Sequence, residues 1–197
     1  MAVAIEAQNV ETTLVSNRYR LGTWVTMAAI AMLFTSLSSA YIVRAASAND
    51  WFPLAMPRVL LLSTALIAIS SGTLEIARRR LKSSSSRSYV QFLALTVVLG
   101  LGFLASQLIA WRQLARQGVY LASNPHSSFF YLLTAAHGVH LVGGLLALFY
   151  LLLRAGRLVT QPAALVKRQA VTDAVTMYWH FMDALWIYLF LLLFLWR

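Results

Sequence analysis

The stretch AVTMYWHFMDALWIYLFLLLFLW, Ala174 to Trp196, decides the fold. It exceeds the roughly 20 predominantly apolar residues that one helix needs to cross the hydrocarbon core of a bilayer, so it predicts a transmembrane helix. Two ionisable residues, His180 and Asp183, interrupt it. A charged group in hydrocarbon costs roughly 2.5–3.5 kcal/mol on insertion scales, so this pair is expected to face protein, a cavity or a lipid headgroup. A second pair, His137 and His140 in TAAHGVHLVGG, repeats the pattern on the preceding apolar segment. Three residues apart, each pair lies on one face of its helix, and the two polar stripes are available to meet.

Composition extends this reading to the whole chain. Of 197 residues 60% are hydrophobic and only 11% charged, with a mean hydropathy of +0.71. That is too apolar for an ordinary soluble domain and predicts an all-α, polytopic membrane protein, a bundle of five transmembrane helices. The absence of cysteine excludes disulfides, thiolate metal sites and thiol nucleophiles. A net charge of +10 raises nucleic acid as a partner, but the basic residues sit in the short connections between apolar segments. They are read as topology signals, and no nucleic-acid binding is expected.

In chain order, residues 1–20 read as a polar cytoplasmic tail, and residues 21–197 as the membrane domain, with helices at about 21–43, 58–80, 89–111, 128–153 and 174–196. The first span is expected to act as its own targeting signal, with Trp24 and Tyr41 as anchors at the two interfaces. Trp51 and Phe52 in the following loop look interfacial, and Pro53 and Pro57 hold back the second helix. That helix ends in EIARRRLK, where Glu75 stands one turn before Arg78 and Arg79. The spacing fits a salt bridge, and a proton-accepting carboxylate is the functional alternative. KSSSSRS reads as a flexible basic hinge. On the third helix Gly100 and Gly102 invite close packing, and Gln107 is a buried hydrogen-bonding candidate. His126 reads as solvated in the loop before the fourth helix, whose Gly143-Gly144 admits a neighbouring helix or lipid chain. Pro162 breaks the last loop.

Lysine and arginine number eleven on the side of the N-terminus, the second connection and the fourth, and five on the other. The positive-inside rule then places the N-terminus in the cytoplasm and the C-terminus outside.

Four histidines raise metal or haem chemistry. A zinc peptidase needs Glu directly after the first His of its pair, where Gly138 stands. A di-iron centre needs a fuller ligand shell than the chain offers. A bis-His haem, with His137 or His140 facing His180, is geometrically conceivable. Against it stands a structural reading in which imidazole, carboxylate and indole groups, Trp179 included, satisfy one another across the helices or hold a lipid headgroup. No serine is evidently paired with a base, and no glycine loop cradles phosphate.

The segments FFYLLTAAHGVHLVGG and YWHFMDALWIYLF resemble the signature of subunit III of the haem-copper terminal oxidases, and the earlier helices resemble those that precede these motifs in that family. The resemblance implies a short, five-helix cytochrome c oxidase subunit III of the bacterial cell (inner) membrane. Such a subunit carries no haem or copper of its own; those lie in partner subunits. It binds catalytic subunit I, with subunit II in the same complex, holds phospholipid, and sustains proton uptake and durability in a complex that reduces oxygen and pumps protons. Its histidines and aspartate match His137, His140, His180 and Asp183. The chain departs from the family at Ile30 and Ala110, where many relatives carry glutamate, and lacks the first two helices of the seven-helix form, which form one wall of the lipid cleft. The loss of both glutamates favours a scaffold over a proton antenna. Quinol oxidases and some nitric oxide reductases have a related subunit, which leaves the electron donor open.

Overall fold

The computed structural model describes residues 2–47, 57–83, 86–155 and 162–195, with side chains described from residue 17 onward apart from Ser86, Pro162 and Ala163. The elements are five helices, α1 (Ala2–Ser47), α2 (Val59–Lys82), α3 (Ser86–Arg116), α4 (Pro125–Ala155) and α5 (Pro162–Leu195). Each contains a segment long and apolar enough to cross a membrane. In hydrocarbon a backbone must satisfy its own polar groups, which is why the described architecture is helical. Hydroxyls follow the same rule: Thr26 and Ser36, both exposed on α1, donate to the carbonyls of Gly22 and Met32 at 2.9 Å.

Helix ends are set by local chemistry. At the end of α3, Gly118 adopts φ +76°. Its N–H bonds the Ala115 carbonyl at 3.1 Å, and that of Val119 bonds Leu114 at 3.0 Å. This is a Schellman motif, and the left-handed residue it needs is the glycine. Asn124 then caps α4, its Oδ1 accepting from the Ser127 N–H at 2.9 Å while the Ser127 hydroxyl accepts from the Asn124 N–H at 3.2 Å. Pro125 occupies the first helical position, where a missing N–H costs nothing.

Four expectations are corrected here. The polar leader does not stand apart from the first helix, since α1 runs unbroken from Ala2; no glycine or proline interrupts residues 2–21. Pro162 opens α5 rather than breaking a loop, and the extra turns before Ala174 are held by Arg168, which donates to the Ala155 carbonyl at 2.7 Å. Tyr41 is no lipid-facing anchor: it is fully buried against the rings of His126 and Phe129, 6.0 and 5.7 Å between centroids. His126 is not solvated. It lies in the first turn of α4 with no exposed surface, because the Asn124 cap carries the helix back over it. Trp51, Phe52 and Pro53 lie outside the described residues.

In the bundle α5 packs against α1, α2 and α4, while α3 packs against α2 and α4. Trp179 and Trp186, both buried, reach across from α5 towards α3. Gly100 lets Trp179 in: a Cβ there would lie 2.9 Å from Cη2 of the indole. Gly102, by contrast, has only Leu66 at an ordinary 3.7 Å.

Candidate functional site

The polar side chains of α5 meet a repeated pair of hydroxyls on α2. Ser63-Thr64 and Ser70-Ser71 are seven residues apart, two helical turns, and so present the same edge twice. Trp179 Nε1 donates to Ser70 Oγ at 3.0 Å and Trp186 Nε1 to Thr64 Oγ1 at 3.1 Å. Gln107 of α3 donates through Nε2 to Ser63 Oγ at 2.9 Å. His180 shares a hydrogen bond between Nδ1 and Ser71 Oγ. None of these α2 residues was singled out from the sequence, although the heptad spacing of the hydroxyl pairs is the signal that finds them.

At the basic end of the same interface the charges are neutralised locally. Arg78 Nε reaches Asp173 at 2.6 Å, and Glu75 pairs with Arg79 at 2.9 Å and Arg78 at 3.3 Å. The Glu75–Arg78–Arg79 spacing thus forms the salt bridge its sequence suggests, extended by Asp173. His180 Nε2 stands 3.9 Å from Glu75, too far for a hydrogen bond.

The two histidine stripes do not meet. His137 is buried, its ring 5.8 Å from that of Phe103 and 5.2 Å from that of Trp186. Neither of its nitrogens has a hydrogen-bond partner among the described residues. His140 turns towards α1, edge to face with Phe34 at 5.8 Å, and donates from Nδ1 to its own helix at the Ala136 carbonyl, 2.7 Å away. His180 faces α2. Asp183 is buried, and neither carboxyl oxygen makes a hydrogen bond within the described residues; the Ser71 hydroxyl beside it is turned to His180. The pairing of His137 or His140 with His180 that a bis-His haem needs is therefore not formed, each ring being committed to a different neighbour. Among the described residues no three His, Asp or Glu side chains gather into a group that could hold a metal ion.

A groove of about 510 Å³ opens between α1, α4 and α5, with Arg18 at its mouth and Thr23, Gly143, Gly144, Ala147 and Tyr178 among its walls. Gly144 is pressed by Trp179 and Tyr178, 3.1 Å from where a Cβ would stand, whereas Gly143 has open space in front of it. The Tyr178 hydroxyl donates to the His140 carbonyl at 2.8 Å, so His140 shapes this groove through its backbone. His137 and His180 are not among its walls.

The family model described as cytochrome c oxidase subunit III matches residues 2–197. The chain belongs to the cytochrome c oxidase subunit III family. The probable cytochrome c oxidase subunit 3 of Nocardia farcinica is 31% identical over 179 residues, covering 88% of this chain and 86% of that protein. The cytochrome c oxidase subunit 3 of Bacillus sp. strain PS3 is 28% identical over 185 residues, 89% of this chain and 84% of the relative. That of Bacillus subtilis is 29% identical over 183 residues. The likeness carried by the histidine motifs thus holds over nearly the whole chain. It identifies a multi-pass membrane protein of the family that forms the non-catalytic third subunit of the oxidase.

Proposed function

We propose that this chain is a supporting subunit that binds the catalytic subunit I of a bacterial cytochrome c oxidase, alongside subunit II, and holds phospholipid in the groove between α1, α4 and α5. Haem and copper belong to its partners. The observation that carries the lipid reading is the groove itself: apolar walls with glycines where an acyl chain would lie, and a guanidinium, Arg18, at the end where a phosphate would sit. Interhelical hydrogen bonds in membranes average about 0.6 kcal/mol, so the polar contacts of His140, Trp179 and Gln107 specify how the bundle is arranged more than how stable it is.

Gly143→Phe tests this. The open space before Gly143 lets a ring enter the groove without pressing on the core. The purified complex is expected to keep its subunits, lose phospholipid by quantitative lipid analysis, and inactivate faster during turnover. Unchanged lipid content and lifetime would overturn the proposal.

The same reading places the N-terminus in the cytoplasm, on the strength of the eleven-to-five distribution of basic residues. Because the chain has no cysteine, single cysteines report sidedness without background. Leu121→Cys, in the exposed turn after α3, is expected to react with a membrane-impermeant maleimide from outside, and Arg80→Cys only after permeabilisation. The opposite pattern would invert the topology.

A further inference from the structure

We propose that a further lipid site, apart from the groove of Arg18, lies between the last turns of α4 and the first turns of α5, where Arg154, Lys167 and Arg168 hold the phosphate of an anionic phospholipid. The inference goes beyond the supporting-subunit reading and needs only that the chain sits in a membrane.

Helical spacing builds the pocket. Tyr150 and Arg154 stand four residues apart on α4, and Ala164, Lys167, Arg168 and Val171 recur at three and four on α5, so each set forms one face. The two faces enclose about 200 Å³, and none of the residues lining it is acidic. Two of the cations are set in place by the fold. The Arg154 guanidinium lies over the Tyr150 ring, 4.9 Å from its centroid. That of Arg168 lies over the Tyr89 ring at 5.1 Å and donates to the Ala155 carbonyl at 2.7 Å. A ring beneath a guanidinium holds it without using its N–H groups, so Arg154 keeps the planar fork of donors that suits a phosphate.

Charge and depth choose the ligand. Basic residues at one membrane surface ordinarily mark topology, but those at the end of α2 are matched: Glu75 and Asp173 are taken by Arg78, Arg79 and Lys82 within 3.8 Å. Neither acid pairs with Arg154 or Lys167, although Asp173 lies on the same helix as the lysine. The charge of the pocket is therefore not balanced by its own walls. Lys167 and Arg168 stand five and six residues before Asp173, about 8 Å farther from the bilayer centre, which is the level of phosphates rather than of acyl chains. Inward from Tyr150, α4 turns Leu146, Val142 and Val139 outward at helical spacing, all exposed, so the chains of a lipid whose phosphate fills the pocket would run down this apolar stripe. A soluble phosphate would use the pocket alone, whereas a phospholipid uses both features. An ethanolamine or choline group would bring another cation into a pocket with no acid, so the headgroup that fits carries a net negative charge.

The test uses the whole complex in lipid nanodiscs, with labelling normalised to the subunit recovered. A phosphatidylglycerol carrying a photoreactive group beside its phosphate is expected to label this chain within residues 150–171, and the matching phosphatidylethanolamine to label it about tenfold less. Arg154→Gln combined with Lys167→Gln, both exposed, is expected to lower the phosphatidylglycerol labelling about thirtyfold, the effect of removing two surface cations. Arg168 is kept because it holds the start of α5 to the Ala155 carbonyl. Ala164→Phe, at an exposed position, fills the pocket with all three cations intact and is expected to lower the labelling as well. Gly143→Phe, in the other groove, is expected to leave it unchanged. Label lost in Gly143→Phe but kept in both pocket variants would overturn this site and leave the groove of Arg18 standing. Equal labelling by the two lipids would overturn the anionic class, and loss of the label to millimolar inorganic phosphate would overturn a lipid as the source of the anion.

Discussion

Trp179→Ala is expected to destabilise the bundle by about 3–5 kcal/mol and to strip the subunit from the purified complex. The side chain is wholly buried and fills the space between α3 and α5, two helices whose backbones do not otherwise pack. Its ring lies over Gly100 and Gly144, 2.9 and 3.1 Å from where their Cβ atoms would stand. Apolar burial adds little inside a bilayer, because lipid is as apolar as leucine, so association relies on packing density and interhelical hydrogen bonds. Truncation removes both at once, leaving a cavity against two glycines that have no side chains with which to fill it. Trp179→Phe keeps most of the packing and loses the hydrogen bond to Ser70, so about 1 kcal/mol is expected there. Thermal or SDS-induced unfolding of the detergent-purified subunit, with recovery of the complex alongside, reads the difference. An alanine variant within about 1 kcal/mol of the parent would remove Trp179 from the centre of the fold.

The existence of five membrane helices was legible because hydropathy reports where lipid is, and all five segments exceed bilayer thickness. Where each helix ends was less legible, for the same reason. α5 continues outside the apolar zone to Pro162, and the turns that hold Arg168 against the Ala155 carbonyl read in isolation as a basic loop. His126 misled in a related way. NPHSS looks like loop chemistry, and only the reciprocal Asn124–Ser127 cap together with Tyr41 from a distant helix shows the histidine to be covered.

The candidate site was legible in its residues and not in its pairings. Spacing of three puts two side chains on one face, but leaves them about 60° apart around the axis. In a bundle this is enough to hand them to different neighbours: His137 to Phe103 and Trp186, His140 to Phe34 and its own carbonyl. The serines of α2 that receive Trp179 and His180 are not marked by their residue type, since hydroxyls in membrane helices usually bond their own backbone. Ser70 in fact does both, donating to the Ile67 carbonyl at 2.7 Å while accepting from the indole.

Gly100→Ala and Trp179→Phe are expected to be strongly non-additive. Alone, the added methyl at position 100 would lie 2.8 Å from Leu145 Cδ2 and 2.9 Å from Trp179 Cη2, closer than packed carbon atoms tolerate. Leu145 can turn its terminal methyl aside, whereas the indole is pinned through Nε1 to Ser70 and by Gly144 on its other side. Overpacking of this kind costs about 1–3 kcal/mol. Phenylalanine at 179 lacks the far edge of the indole, Cη2 and Cζ2, which is the part that the new methyl would strike. In that background Gly100→Ala fills part of the space vacated by the ring, and its cost is expected to fall close to zero. The coupling energy across the cycle is therefore about 1–3 kcal/mol, within the range for residues in direct contact. Unfolding of the parent, both single variants and the double variant closes the cycle. Simple additivity would mean that the Trp179 ring does not rest on Gly100, and would take with it the account of how α5 is held to α3.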